Sequence, residues 1–136
     1  MFFGIQAMII AHGIDVVDVA RVASMLDTHG QRFLDRCFTV AEQEVADVSS
    51  PNKRAERLAA RYAAKEAVLK ALGTGLAGGI EWIEIGVVRQ NGPPSIELRG
   101  RAAEVAADQG ITEWRLSLSH THGIAMASVI GIGDTS

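Results

Sequence analysis

The sequence predicts an α+β domain, a mostly antiparallel sheet packed on one long helix. Three observations lead there. Residues 54–72 keep a helical period with an alanine-rich face. Residues 80–90 and 95–100, and again 113–120 and 123–131, read as strands joined by turns at Asn91-Gly92-Pro93-Pro94 and Thr121-His122-Gly123. The remaining segments read as short helices with identifiable caps.

The elements follow in order. Residues 8–17, MIIAHGIDVV, are rich in β-formers and read as a buried strand. Asp18 is placed to cap a helix from Val19 to His29, which Gly30 closes. QRFLDRCF reads as a short helix or irregular segment. Thr39 caps the next helix, and Glu42, three residues on, completes a capping box. SSPNK is a break before the long helix, expected from about Arg54 to Leu72. After the first strand pair, RAAEVAADQG reads as a small-faced helix ending at Gly110.

At 136 residues the chain suits one domain with one core. We expect residues 8–136 to form it, behind an extension of residues 1–7. Hydrophobic residues make up 48% and charged residues 21%, a soluble globular balance. A net charge of −3 gives no bulk attraction to nucleic acid or to an anionic membrane. The apolar start lacks the basic region and cleavage pattern of a signal peptide, and no run is long enough to span a bilayer. Cys37 is the one cysteine, so no intramolecular disulfide and no cysteine-based zinc site can form. That fits a reducing, cytoplasmic setting, with Cys37 a buried spectator.

The long helix raises the functional question. Ala60, Ala63, Ala64, Ala67 and Ala71 share one sector, and Leu58, Tyr62, Leu69 and Leu72 form a second apolar sector. The polar arc left over is narrow, yet it carries Arg61, Lys65, Glu66 and Lys70. A Glu–Lys pair one turn apart contributes only a few tenths of a kcal/mol as a salt bridge. One carboxylate among three cations suits a metal–phosphate complex better: Glu66 for the cation, the basic residues for phosphate oxygens. Gly73-Thr74-Gly75 follows the helix; it reads as a helix stop, or as a place where backbone approaches a ligand closely.

Asp15, at a strand end, has no evident structural task once Asp18 is the cap. Asp15 and Glu66, completed by substrate oxygens and waters, suit magnesium and not zinc. His120 and His122 lack a cysteine partner, and His120 is read as a polar residue near a ligand; His12 and His29 are read as structural or exposed.

With these residues assembled, the chain resembles the short branch of the 4'-phosphopantetheinyl transferases, the holo-acyl-carrier-protein synthases. The matching segments are GIDVVDVARV, FLDRCFTVAEQE, RLAARYAAKEAVLKALGTG and LSLSHTHGIAMASVI. The resemblance implies the 4'-phosphopantetheinyl transferase fold in a trimeric assembly, each site built between neighbouring copies. It implies a magnesium-dependent transfer of the phosphopantetheine arm of coenzyme A onto a serine of acyl carrier protein, in fatty acid biosynthesis, with release of adenosine 3',5'-bisphosphate. By residue, it implies Asp15 and Glu66 as magnesium ligands, and Glu66 and Lys70 as catalytic groups. Lys70, Arg61, Gly73, Thr74, Gly75, Ser119, His120 and Thr121 would bind the coenzyme. Arg21 would meet the acidic carrier protein; Met25, Phe33 and Arg36 complete that expected surface. Glu66, or a metal-bound water that it orients, is the candidate base for the serine. Asp18 stands where the family commonly has glutamate. The competing readings are a metal-dependent diphosphate hydrolase and a non-catalytic coenzyme A-binding subunit; the second would not need both carboxylates.

Overall fold

The computed structural model describes residues 6–135. Strand β1 spans Gln6–Asp18, followed by helices α1 (Val19–His29), α2 (Gln31–Cys37), α3 (Val40–Ala46) and α4 (Pro51–Leu72). A short 3-10 turn, Trp82–Glu84, leads into β2 (Ile85–Val88); then come β3 (Ser95–Leu98), α5 (Gly100–Asp108), β4 (Glu113–Thr121) and β5 (Ile124–Thr135). The sheet is antiparallel in the order β1-β5-β4, and β2 and β3 form a separate antiparallel ribbon. Residues 1–5 of the expected extension lie outside the described residues, while Gln6 and Ala7 belong to β1, opposite Thr135 and Asp134.

Local chemistry explains the boundaries. Thr39 and Glu42 form the expected capping box at the start of α3. Helix α4 starts at Pro51, earlier than expected, because Pro51 sits in the first turn, where no backbone N–H is needed, and the Ser50 side chain accepts from Lys53 N. It ends at Gly73, whose left-handed φ of 78° lets its N–H reach Leu69 O. Asp18 holds the cap position of α1 without a side-chain cap hydrogen bond. Residues 80–90 are not one strand: the 3-10 turn intervenes, and only Ile85–Val88 pair, opposite Ser95–Leu98.

Helix α4 is the axis of the molecule. Its alanine face lies on β1 and β5, where Ala63, Ala64 and Ala67 meet Ala125, Ala127 and Val129 in a core with almost no solvent. Small residues on both sides allow close approach of helix and sheet. Leu58, Val68 and Leu72 bury fully on other sides, each contributing about 1.5–3 kcal/mol of hydrophobic stabilisation. Along β1, Gly13 and Val17 face the helix while Ile14 and Val16 are exposed on the opposite face of the sheet.

Candidate active site

The site originates in the contact between β1 and α4. A Cβ built on Gly13 would lie 1.9 Å from the carbonyl oxygen of Ala67 and 3.0 Å from Ala71 N. Only glycine lets the strand backbone press on the helix backbone here. Asp15, two residues along, shares that face of the strand. Glu66 and Lys70 flank Ala67 on the helix. The closest approach of the two elements therefore brings all three charged groups together.

Lys70 Nζ bonds Asp15 Oδ1 at 2.8 Å and Ile14 O at 3.2 Å. The hydrogen bond and charge of Asp15 raise the Lys70 pKa. Glu66 is half-buried, and burial first, then the negative charge of Asp15, raises its carboxyl above the usual glutamate value. Lys70, the Tyr62 hydroxyl and Arg21 oppose that rise. The Tyr62 phenol is itself pushed up to about 12, chiefly by burial, so it stays a proton donor near neutral pH. Its ring stacks on Trp82 with centroids 4.9 Å apart. Burial also raises the thiol of Cys37, which the core encloses.

The donor set fits a hard divalent cation. Asp15 already carries a cation, the Lys70 ammonium. Among the described residues no cluster of three or more His, Cys, Asp or Glu side chains is present. With Asp15 and Glu66 as its ligands, a cation would take most of its coordination shell from substrate oxygens and water, which suits magnesium at a phosphate.

A second group lies nearer the start of α4. Arg61, Ser119 and His120 line a cavity of about 730 Å³ with Lys53, Arg57 and Arg89. Arg61 is nearly buried; its Nη1 donates to Arg57 O at 3.1 Å, and its Nε has no partner. Burial lowers its pKa, as expected for a cation held without a full anionic partner. His120 Nδ1 lies 3.9 Å from Glu56 Oε2. The larger cavity, about 1320 Å³ beside α1, contains none of Asp15, Glu66 and Arg61.

Gly73, Thr74 and Gly75 sit past the other end of α4, with Thr74 Oγ1 donating to Gly75 O at 3.0 Å, and they do not line the Arg61 cavity. Thr121 ends β4 and is exposed. On the expected partner surface, Arg21 and Arg36 are exposed and Met25 is partly so. Phe33 corrects the expectation. It is 6% exposed and packs edge-on against Phe38 at 5.5 Å, so the α2 helix uses it to seat on the core.

Lys65 is the second correction. It was expected among the phosphate-binding cations, but it is completely buried and pairs with Glu42 at 2.7 Å. Its ammonium also donates to the carbonyls of Ile85 and Trp82. Burial lowers its pKa, and Glu42 opposes the fall. Removing either partner would leave a buried unpaired charge, at a cost of about 3–5 kcal/mol. The capping box made Glu42 visible in the sequence, but only as a cap; nothing in the pattern linked it to Lys65. Gly13 and Tyr62 were likewise missed as site-forming residues.

Comparison with known proteins extends this geometry. Residues 11–127 match the family model of the 4'-phosphopantetheinyl transferase superfamily. The chain belongs to that superfamily. Two relatives are holo-[acyl-carrier-protein] synthases. The one from Trichlorobacter lovleyi is 49% identical, covering 90% of this chain and 97% of the relative. The one from Koribacter versatilis is 45% identical, covering 90% and 98%. A crystal structure of a holo-(acyl-carrier-protein) synthase from Bacillus anthracis, in complex with CoA (3',5'-ADP), aligns with a TM-score of 0.76 at 31% identity, covering 93% of this chain and 98% of that one.

Proposed function

We propose that this chain is a holo-[acyl-carrier-protein] synthase whose reacting centre is Asp15, Glu66 and Lys70. It transfers the 4'-phosphopantetheine moiety of coenzyme A to a serine of apo acyl carrier protein, for fatty acid biosynthesis. The observation that carries the site assignment is the convergence of these three groups, from β1 and α4, around the Gly13–Ala67 contact.

Asp15 and Glu66 would hold the magnesium ion, which supplies charge neutralisation to the diphosphate when bound. The serine oxygen attacks the β-phosphorus, and adenosine 3',5'-bisphosphate leaves. Glu66, or a metal-bound water that it orients, would accept the serine proton. The Lys70 ammonium, 56% exposed, can turn from Asp15 to a phosphate oxygen and offset negative charge there. Arg61, about 7.5 Å back along the helix axis from Glu66, takes a coenzyme phosphate. Its unpartnered Nε and the cationic wall around it support that role. Ser119 and His120 line the same cavity. Thr121 follows His120 at the end of β4, whereas Gly73, Thr74 and Gly75, past the far end of α4, would serve the coenzyme pocket from a neighbouring copy.

The assembly is a homotrimer. Ile14, Val16, Ile124 and Met126 leave an apolar strip exposed on the sheet face opposite α4, and burying that strip between copies supports the reading. Neighbouring copies would then complete each coenzyme pocket. Arg21, Met25 and Arg36 present the accessible part of the carrier-binding surface. No helix among the described residues is long and apolar enough to cross a membrane, in keeping with a cytoplasmic enzyme. The test is to mix the protein with coenzyme A, magnesium and apo carrier, then weigh the carrier by mass spectrometry. Gain of one phosphopantetheine arm is expected; an unmodified carrier would overturn the reading, and bisphosphate release without that gain would indicate hydrolysis.

A further inference from the structure

The buried Glu42–Lys65 pair does not touch the cavity or the exposed groups of the reacting centre, yet it is the most completely satisfied polar cluster in the core. Lys65 Nζ donates to Glu42 Oε1 at 2.7 Å, to Trp82 O at 3.2 Å and to Ile85 O. Glu42 Oε1 also accepts from Thr39 N, and Glu42 Oε2 accepts from Val87 N, each at 2.8 Å. The ammonium lies 5.8 Å from the centroid of the Phe38 ring. Thus four segments are fastened at one point: the start of α3, the middle of α4, the Trp82–Glu84 turn and β2.

Stability alone gives a weak reason for such a pair, since apolar residues of similar volume commonly serve a core as well or better. Direction gives a stronger one. Successive residues on a helix point about 100° apart, so fixing Lys65 at three acceptors fixes the azimuth of Glu66, the next residue. A second link closes the circuit. The Trp82 segment that accepts from Lys65 also stacks its ring on Tyr62, and Tyr62 lies one turn before Glu66, on the same side of the helix. Phe33, with its ring centroid 6.4 Å from that of Tyr62, borders Tyr62 as well.

We propose that Glu42 and Lys65 are positioning residues for the transfer reaction: their buried pair sets the rotation of α4 so that the Glu66 carboxylate is presented to Asp15. This rests on the assignment of Glu66 to the reacting centre. The pair acts through Glu66 and contacts no substrate.

The test is the double variant Glu42→Gln/Lys65→Met. It removes both charges together and keeps an amide oxygen for one of the two backbone N–H groups that donate to Glu42. Thermal unfolding, kcat and KM for coenzyme A and carrier, and the crystal structure are compared with wild type. The expected result is a folded protein whose kcat falls about 10- to 100-fold, as a misplacement near 1 Å at the reacting atoms can cause. KM for coenzyme A should stay within about twofold, since a positioning fault of this kind acts on the transition state. The Glu66 carboxylate should be displaced from its wild-type position. A folded double variant with wild-type kcat, a fall that only matches the folded fraction, or an unmoved Glu66 would overturn the proposal. If the double variant does not fold, Glu42→Asp decides by the same criteria, because it keeps both charges and withdraws the carboxylate by one methylene. Glu66→Gln runs alongside. Full activity there would instead remove Glu66 from the reacting centre, whereas an inactive Glu66→Gln beside a wild-type double variant would sink the positioning role alone.

Discussion

Replacing Gly13 by alanine tests how the proposed reacting centre is assembled. The added methyl would sit 1.9 Å from Ala67 O, 2.9 Å from Ala67 C and 3.0 Å from Ala71 N. All three are backbone atoms of α4, so no side chain can rotate away. Ordinary contact lies near 3.4 Å, which leaves an overlap of roughly 1.5 Å at the oxygen. Strand and helix must separate by something like that distance or the strand must twist. Overpacking of this kind costs about 1–3 kcal/mol, and for a domain of this size each kcal/mol lowers Tm by roughly 2–8 °C. The functional loss should be larger than the unfolded fraction explains. Asp15 rides on the displaced strand while Glu66 and Lys70 stay on the helix, and a shift near 1 Å in a reacting constellation can reduce the rate by about 10²-fold. The assay pairs thermal unfolding with carrier mass spectrometry at a temperature where the variant is folded. A Gly13→Ala protein with wild-type Tm and transfer rate would show that the Gly13–Ala67 contact does not hold the site together.

Glu66→Gln should reduce transfer by about 10²–10⁴-fold, the span of general-base catalysis, with the fold intact. The same variant carries a pH prediction. Because the fold raises the Glu66 pKa above 4.5, the folded state binds that proton more tightly than the unfolded chain, and ionising Glu66 costs stability as pH rises. Without metal at pH 7, Glu66→Gln should therefore unfold at the same or higher temperature than wild type, and the gap should close below pH 4.5; a variant less stable at pH 7 would contradict this. Arg61→Met should raise KM for coenzyme A by about 10- to 100-fold, the loss of a hydrogen bond between charged groups, with less effect on kcat; an unchanged KM would place the coenzyme phosphate elsewhere. Val16→Asp puts a charge on the exposed apolar strip. Sedimentation should show the proposed trimer dissociating, with transfer activity lost alongside, and a trimer that persists in the variant would move the interface to another surface.

What could be read in the sequence was set by short-range patterns. Helix α1 from Val19 to His29 carries its stop at Gly30, and the capping box at Thr39 and Glu42 is a local signal that the structure reproduces in both hydrogen bonds. The two apolar sectors of α4 follow from a 3.6-residue period, and the residues named in them are buried except Ala71, which is partly so. Residues 80–90 misled because Trp82, Ile83 and Ile85 have strand composition, whereas Glu84 turns back to bond Glu81 N and Arg101 N and winds the chain into a 3-10 turn. Phe33 reads as an apolar contact for a partner because the expected carrier-facing stretch around it is only mildly basic; its side chain turns inward to Phe38 and Tyr62. Asp15 and Glu66 could be nominated from their chemistry, but their meeting depends on Gly13, and in a sequence a glycine that admits a helix backbone looks the same as one that makes a turn.

The charges on α4 separate by azimuth. Lys65 points into the core at Glu42, Arg61 lies at the edge of a cationic cavity, and Glu66 and Lys70 turn toward β1. A helix with a wide solvated face would let such groups choose among many rotamers and partners. Here apolar sectors on two sides narrow the directions open to these charges: Lys65 ends at Glu42, Arg61 at the cavity wall, and Lys70 at Asp15. The packing that makes α4 the core of the fold is thus also what limits the freedom of its charged residues. Two consequences follow for variants on the alanine face. Enlarging Ala63 or Ala67 should damage transfer through the helix–sheet distance even though neither side chain is polar. Making Ala71, which is partly exposed, into serine should leave the transfer rate close to wild type, because the change adds one hydroxyl and leaves the backbone N that faces Gly13 as it is.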